Sequence, residues 1–160
     1  IYYSSHLSLA QEFACAGEAP FGLKPKWRQT KEKVFRVHFF SKNLSEFLLA
    51  RKSNLLEKIG QMGCRHRLEF IQAFFNDEGS VTYRPKGGKR AIRGYQKDTS
   101  ILSLISYLLE GFGIASNLEC LNHSPELSIT GRGNIQSFAK LINFDPGVSF
   151  LATRKNSYYP

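Results

Sequence analysis

The stretch FIQAFFNDEGSV, residues 70–81, places two adjacent carboxylates, Asp77 and Glu78, at the end of an apolar helical pattern and directly before Gly79. Carboxylate oxygens are the ligands that hard divalent cations such as Mg²⁺ prefer, and a cation held there can stabilise charge at a phosphate. The alternative is an ordinary helix end whose acids are solvated. The stretch therefore predicts either a metal site or a polar helix terminus.

The composition narrows the class of protein. With 160 residues, of which 42% are hydrophobic, the chain is long and apolar enough to form one domain with a core. Its 22 Lys and Arg against 13 Asp and Glu give a net charge of +9, which favours nucleic acid over a membrane as the partner. No segment reads as a bilayer span or a secretory signal, so we expect an intracellular protein.

Other common chemistries find little support in the sequence. The three cysteines, Cys15, Cys64 and Cys120, are odd in number and far apart, which predicts reduced thiols rather than disulfides or a zinc site. The sequence has no P-loop and no nucleophile elbow. These absences disfavour a nucleotide-driven motor and a hydrolase with a catalytic triad.

Hydrophobic periodicity and turn residues predict an alternation of helices and hairpins. After the acid-ended helix, SVTYRP and RAIRGYQ alternate around the turn PKGGK and read as two antiparallel strands. Apolar residues at helical spacing predict a helix over residues 99–114. NLECLN and LSIT, joined by a turn at HSPE, read as a second hairpin, and a short helix follows over residues 134–144. The order from residue 65 is helix, hairpin, helix, hairpin, helix.

Part of this order also occurs upstream, as a weak internal repeat. Residues 35–49 resemble residues 127–142 in layout, because an alternating strand is followed by an amphipathic helix in both. We therefore predict a single domain, 1–160, in which residues 1–63 form a partial unit without the acid-ended helix. Residues 64–160 form the complete unit, with that helix at 65–79.

FIQAFFNDEG resembles the signature helix of the LAGLIDADG homing endonucleases, with residues 71–79 in its nine positions and Glu78 in the place of the second acid. The element order that follows is similar to one repeat of that family, as is the segment 95–114. The resemblance covers most of the chain from residue 34 onward. It implies an α+β fold of αββαββα repeats, in which an antiparallel, saddle-shaped sheet binds DNA and the helices pack behind it.

The same resemblance implies roles for residues at the helix end. Glu78 would be the metal ligand, Asp77 would offer its backbone carbonyl, and the cofactor would be Mg²⁺ or another divalent metal. Asn76 stands where the family has an acid with a structural role, so its presence does not exclude activity. Ala73 stands where the family usually has glycine, so we expect slightly looser packing against a second such helix.

A lysine near the end of the strand before the middle helix assists catalysis in this family, and Lys97 is the residue that matches it here. Gln96 would position the water beside it. At the corresponding place the N-terminal unit has Ser4, Ser5 and His6 instead. This difference argues against a symmetric active site within one chain.

Basic residues concentrate on the hairpins, where a sheet surface suits DNA. Because outward residues recur at every second position of a strand, Arg84, Arg90 or Arg93 would reach bases or phosphates. Lysines at the PKGGK tip would meet phosphates. The predicted DNA-binding residues are Lys24, Lys26, Arg28, Lys31, Lys33, Arg36, His38, Arg84, Lys86, Lys89, Arg90, Arg93, Tyr95 and Arg132.

One acid-ended helix supplies half of a two-helix site. We expect a homodimer that pairs two copies, which predicts a roughly palindromic target. One alternative is a two-repeat monomer whose first motif helix lies outside this sequence. Another is that LAQEFACAG, residues 9–17, is a degenerate motif that has lost its acid.

The resemblance implies an Mg²⁺-dependent, site-specific double-strand DNA endonuclease of the intron-encoded type. The expected location is intracellular, and the sequence does not distinguish an archaeal cytoplasm from an organelle. The alternative is a binder of DNA or RNA that has the same fold but does not cleave, such as an intron splicing maturase or a transcription regulator. Substitution of Glu78 distinguishes the two, because only the endonuclease needs its carboxylate for catalysis.

Overall fold

The structure, a computed structural model, describes residues 1–84, 88–121 and 124–145. No helix in these ranges has both the length and the hydropathy of a membrane span. The described elements are β1 (Tyr2–Ser4), α1 (Leu7–Phe21), β2 (Lys26–Gln29), β3 (Phe35–His38), α2 (Lys42–Gln61), α3 (Cys64–Glu78), β4 (Gly79–Arg84), β5 (Lys89–Tyr95), α4 (Thr99–Gly111), β6 (Asn117–Leu121), β7 (Ser124–Thr130) and α5 (Arg132–Leu141).

Residues 54–145 form a unit in which helices pack on one face of a four-stranded sheet. The strands lie in the order β4-β5-β7-β6, and every neighbouring pair is antiparallel. Alternate residues of the central strands, including Ile92, Leu127 and Ile129, face the helices and are buried. Phe75 from α3 and Phe138 from α5 complete this core. The predicted order of helix, hairpin, helix, hairpin, helix is confirmed here.

Several predicted boundaries differ from the structure, and two of the differences have a clear physical reason. β7 already begins at Ser124, so most of the predicted HSPE turn is strand, with Pro125 paired to Cys120. Only alternate residues of an antiparallel strand donate to a given neighbour, so one proline near the strand start is tolerated. The predicted helix 99–114 ends at Gly111, because Gly113 adopts a positive φ and turns the chain towards the buried Ile114.

Residues 1–53 form a smaller unit with a three-stranded sheet in the order β1-β3-β2. Its core contains Ala10 and Ala14 of α1 and Val37 of β3. Gly17 permits a close approach of α1 to Phe39, since a Cβ at this glycine would lie 2.3 Å from the Phe39 ring. α1 thus packs on its own sheet through small residues.

The strand pairing shows which part of the larger unit α1 corresponds to. β1 precedes α1 and pairs with β3, just as β5 precedes α4 and pairs with β7. α1 is therefore topologically equivalent to α4, and the interpretation of residues 9–17 as a degenerate motif helix is wrong. The equivalents of α3 and β4 do not occur among the described residues of the smaller unit.

Candidate functional site

The two acids of the motif lie at the junction of α3 and β4. Glu78 is the last residue of the helix, and Gly79 begins the strand while its N–H bonds the carbonyl of Phe75. A Cβ on Gly79 would lie only 2.1 Å from that carbonyl oxygen. Glycine is therefore required at this tight junction, which fixes Glu78 relative to the sheet.

A second glycine brings α3 against the base of the hairpin. Gly94 of β5 is the cross-strand partner of Gly79. A Cβ at Gly94 would lie 2.5 Å from the ring of Phe74, so a larger residue would push the helix away. Both strands thus approach the helix end closely, and residues that follow Gly94 lie at the same end of the sheet as Glu78.

Asn76, which replaces the first acid of the motif, has a structural role. Its side-chain Nδ2 donates to the Asp145 carboxylate, and the Asp145 backbone N–H donates to Asn76 Oδ1 at 3.1 Å. One turn earlier, Gln72 Nε2 donates to the carbonyl of Ile142 at 3.0 Å. These bonds hold α3 to the segment that follows α5, and they leave the other side of the helix exposed.

The exposed side of α3 carries Ala73, Asp77 and Glu78. Partial burial of the Glu78 carboxyl against the end of the helix, followed by the charge of Asp77, raises its pKa above the ordinary value of 4.5. Both effects disfavour the carboxylate, and a cation bound between the two acids would relieve the repulsion. Within the described ranges, no three His, Cys, Asp or Glu side chains lie close enough together to hold a metal ion. Further oxygen ligands would therefore come from water or phosphate.

The raised pKa predicts that Glu78 lowers stability at neutral pH. The folded carboxyl binds its proton more tightly than the unfolded one, so its stabilising contribution is present below pH 4.5 and is lost as pH rises through the folded pKa. We expect Glu78→Gln to raise Tm at pH 7 and to leave Tm unchanged below pH 4.5. Thermal unfolding followed by circular dichroism tests this.

The control for this prediction is Glu69→Gln on the same helix. Glu69 pairs with Arg65 at 2.8 Å on an exposed surface, so its loss should lower stability by at most about 0.5 kcal/mol. Equal Tm changes for the two variants at pH 7 would contradict a specific cost at Glu78.

The predicted catalytic residues Gln96 and Lys97 follow β5 at the helix end. Lys97 is exposed, and its backbone N–H donates to Gln96 Oε1 at 2.9 Å, which turns the Gln96 side chain back onto the chain. Asp98 then caps α4 by accepting from the N–H of Ser100 at 3.1 Å. The ladder thus puts Lys97 at the same end of the sheet as Glu78, and Gln96 would have to rotate to orient a water.

The smaller unit collects four predicted residues on one surface, here called the basic face: Lys26, Arg28, Arg36 and His38. Arg36 pairs with Arg28 and His38 with Lys26 in the ladder, while Val37 points to the core. The Arg36 guanidinium lies 5.6 Å from the Tyr3 ring centroid.

His38 and Arg36 carry unused hydrogen-bonding capacity on the basic face. Arg36 Nε and His38 Nδ1 are buried and lack hydrogen-bond partners within the described ranges. Burial, then the charges of Arg36 and Lys26, lowers the pKa of His38 below 6.5. An anion bound here would supply acceptors and offset the clustered charge.

The larger unit divides its predicted basic residues between two sheet faces. Arg93 and the exposed Tyr95 share the solvent face of β5. Arg90 lies at an odd spacing from them, on the opposite face, where its guanidinium is 5.2 Å from the ring centroid of its ladder partner Tyr83. Arg90 therefore does not extend the surface that Arg93 belongs to.

The remaining predicted residues are less closely grouped. Lys24 precedes β2, Lys31 and Lys33 lie in the turn between β2 and β3, and Arg132 opens α5; all four are exposed. Arg84 and Lys89 are ladder partners at the hairpin end. Lys86 lies outside the described residues.

Sequence reasoning missed the charged residue of the solvent face that contacts Arg93. Glu126 of β7 contacts Arg93, with 3.1 Å between Oε1 and Nη1, and is the ladder partner of Tyr95. A side-chain hydrogen bond with Tyr95 is the largest cause that raises the pKa of Arg93, and the charge of Glu126 raises it as well. Burial acts in the opposite direction but is outweighed. The alternation of LSIT extended backwards would have placed Glu126 on this face.

A family model and several solved structures match this chain. Residues 65–143 match a family model described as a LAGLIDADG-like domain. No curated protein matches the sequence. The structure of I-DmoI in complex with DNA and Mn is similar with a TM-score of 0.64 and 22% identity, covering 88% of this chain and 78% of that chain.

Two further structures are similar to this chain. I-DmoI in complex with DNA and Ca has a TM-score of 0.61 and 21% identity, covering 86% of this chain and 66% of that chain. The N-terminal LAGLIDADG domain of DUF199/WhiA has a TM-score of 0.59 and 12% identity, covering 91% and 70%. The resemblance of the motif helix is confirmed: residues 65–143 form a LAGLIDADG-like domain, and the chain has the fold of the homing endonucleases.

Proposed function

We propose that this protein is a site-specific endonuclease that cleaves double-stranded DNA with a divalent metal, Mg²⁺ by preference. The observation that carries the proposal is the acid-ended helix α3, whose carboxylates lie beside the base of a hairpin. The sheet of the smaller unit carries cations and unsatisfied polar groups that suit phosphates. The similarity to I-DmoI, which is described with DNA and with Mn or Ca, supports the same assignment.

In this proposal each residue has a defined task. Glu78 and the backbone carbonyl of Asp77 would hold the metal, which supplies stabilisation of the attacking and leaving oxygens. Glu78 is suited to this because its carboxylate is held by the Gly79 junction and destabilised by Asp77. Lys97 would offset charge on the phosphate, and Gln96 would orient the water after leaving its backbone contact.

A second acid-ended helix is needed to complete a two-helix site. A second copy of the chain can supply it across the exposed side of α3, where Ala73 allows close approach. The alternative is a two-repeat arrangement in a single chain. Two observations support that alternative. The strand order β1-β3-β2 of the smaller unit matches β5-β7-β6 of the larger one, and one I-DmoI chain covers 88% of this chain.

The second candidate function is DNA or RNA binding without cleavage, as in a regulator or a splicing maturase. The N-terminal domain of WhiA has the same fold over 91% of this chain, so the fold is not confined to the I-DmoI structures. Both functions require nucleic-acid binding, and only the first requires Glu78.

Both functions predict binding that weakens steeply with salt. Each phosphate contact contributes about 0.9 to the slope of log affinity against log salt concentration on duplex DNA. We expect Arg28→Gln on the basic face to reduce this slope by roughly one contact, or about 0.9. Fluorescence anisotropy with a random-sequence duplex, titrated at several salt concentrations, measures the slope.

A matched control is Arg65→Gln, which removes the same charge from the exposed start of α3, where Arg65 pairs with Glu69. This variant should retain the slope of the unmodified protein. A flat salt response of the unmodified protein would contradict both functions.

A further inference from the structure

On the solvent face of the four-stranded sheet, Arg93 lies in a row of short polar side chains. The ladder aligns Ser80, Arg93, Ser128 and Asn117 in one row across β4, β5, β7 and β6. Because the flanking side chains in this row are short, they leave space for a base edge of a DNA groove to approach the exposed part of the Arg93 side chain.

The next row of the same face carries an acid that is mostly buried. Tyr95, Glu126 and Glu119 are aligned there. The Glu126 side chain is only 16% exposed, and both of its oxygens lie near Arg93 Nη1, at 3.1 and 3.3 Å. The Arg93 side chain is 37% exposed. Arg93 is thus anchored on one side and open to solvent on the other.

A carboxylate at this place has two physical consequences. It fixes the guanidinium plane, which lowers the entropy lost when arginine forms two parallel hydrogen bonds to a base. It also cancels much of the local positive charge, so attraction to phosphates weakens. A fixed and neutralised arginine favours base reading over phosphate binding.

We propose that Arg93 and Glu126 form a base-reading pair, in which Arg93 contacts a guanine in the major groove and Glu126 is its positioning residue. This inference rests on the proposed binding of DNA and adds a specificity determinant to it. Removal of Glu126 should release Arg93 to bind phosphates, so non-specific affinity should rise while discrimination at one base pair falls. An arginine to guanine contact discriminates by roughly tenfold to a hundredfold.

The test compares four proteins: the unmodified chain, Glu126→Gln, Arg93→Met and the matched control Glu119→Gln. Glu119 lies beside Glu126 in the ladder and carries the same charge, so its removal changes the field but leaves the Arg93 ion pair intact. Each protein is used to select sequences from a randomised duplex library without divalent metal, and its salt slope is measured on a random-sequence duplex.

The pair predicts that Glu126→Gln and Arg93→Met lose preference for guanine at the same position. Glu126→Gln should also gain about 0.9 in salt slope, equivalent to one added phosphate contact. Glu119→Gln should keep the preference. Retained preference in Glu126→Gln, or equal losses in both glutamine variants, would overturn the pair.

Two further results separate the possible failures. If the unmodified protein shows no salt-sensitive binding, the proposed function fails and the pair fails with it. If Glu126→Gln does not fold, Arg93→Lys tests the pair, because lysine keeps the charge and loses the planar fork. Arg93→Lys should then lose the guanine preference, and its retention would overturn the proposal.

Discussion

Replacement of Glu78 by glutamine should abolish DNA cleavage and leave DNA affinity within about tenfold. The amide is nearly isosteric but carries no charge, so it cannot support the metal that stabilises the attacking and leaving oxygens. A loss of about 4 kcal/mol of transition-state stabilisation corresponds to roughly a thousandfold in rate. Single-turnover cleavage of a duplex recovered by selection measures this effect, and anisotropy measures the affinity.

Glu110→Gln is the matched control for this prediction, since Glu110 is an exposed acid on α4. It should cleave at the rate of the unmodified protein. If Glu78→Gln cleaves normally, the acid-ended helix is not the catalytic element. If it loses affinity and cleavage together, Glu78 has a structural role.

Phe75→Ala should have the largest effect on stability. Phe75 is fully buried, and its ring lies 4.9 Å from that of Phe138 and 6.4 Å from that of Phe144 between centroids. Truncation of a buried phenylalanine to alanine costs about 3–5 kcal/mol, a large share of the 5–15 kcal/mol that stabilises a typical domain. Chemical denaturation should therefore show a much lower midpoint for the unfolding of the larger unit.

Tyr107→Ala supplies the comparison, because Tyr107 is 64% exposed on α4 of the same unit. Its removal should change the free energy of unfolding by no more than about 0.5 kcal/mol. Similar midpoints for the two variants would contradict a core centred on Phe75.

The sequence contained enough local information to predict the framework of the larger unit. The apolar spacing of α3 and α4, the alternation of β4 and β5, and the glycine after Glu78 are all properties of short segments. Strand alternation also separates Arg90 from Arg93 by parity, and this could have been recognised before the structure. The beginning of β7 was missed because Pro125 resembles a turn residue.

The contacts that tune the site could not be predicted in this way. Asn76 and Asp145 are 69 residues apart, and Arg93 and Glu126 are 33 residues apart. Such pairs depend on how helices and strands pack, and no local pattern specifies them. In the structure, the buried amide of Asn76 takes the place of the motif's first acid and bonds Asp145. The sequence indicated a structural role for this position only through the family resemblance.

A cleavage selection tests most directly whether this protein cleaves DNA. The protein and Glu78→Gln are incubated with a randomised duplex library and Mg²⁺, and cut ends are captured and sequenced. We predict cut ends from the unmodified protein only, sharing a long motif and a fixed overhang. A palindromic motif would indicate two identical chains, and an asymmetric one would indicate two unlike halves. An absence of cut ends despite salt-sensitive binding would contradict cleavage and identify a binder that does not cleave.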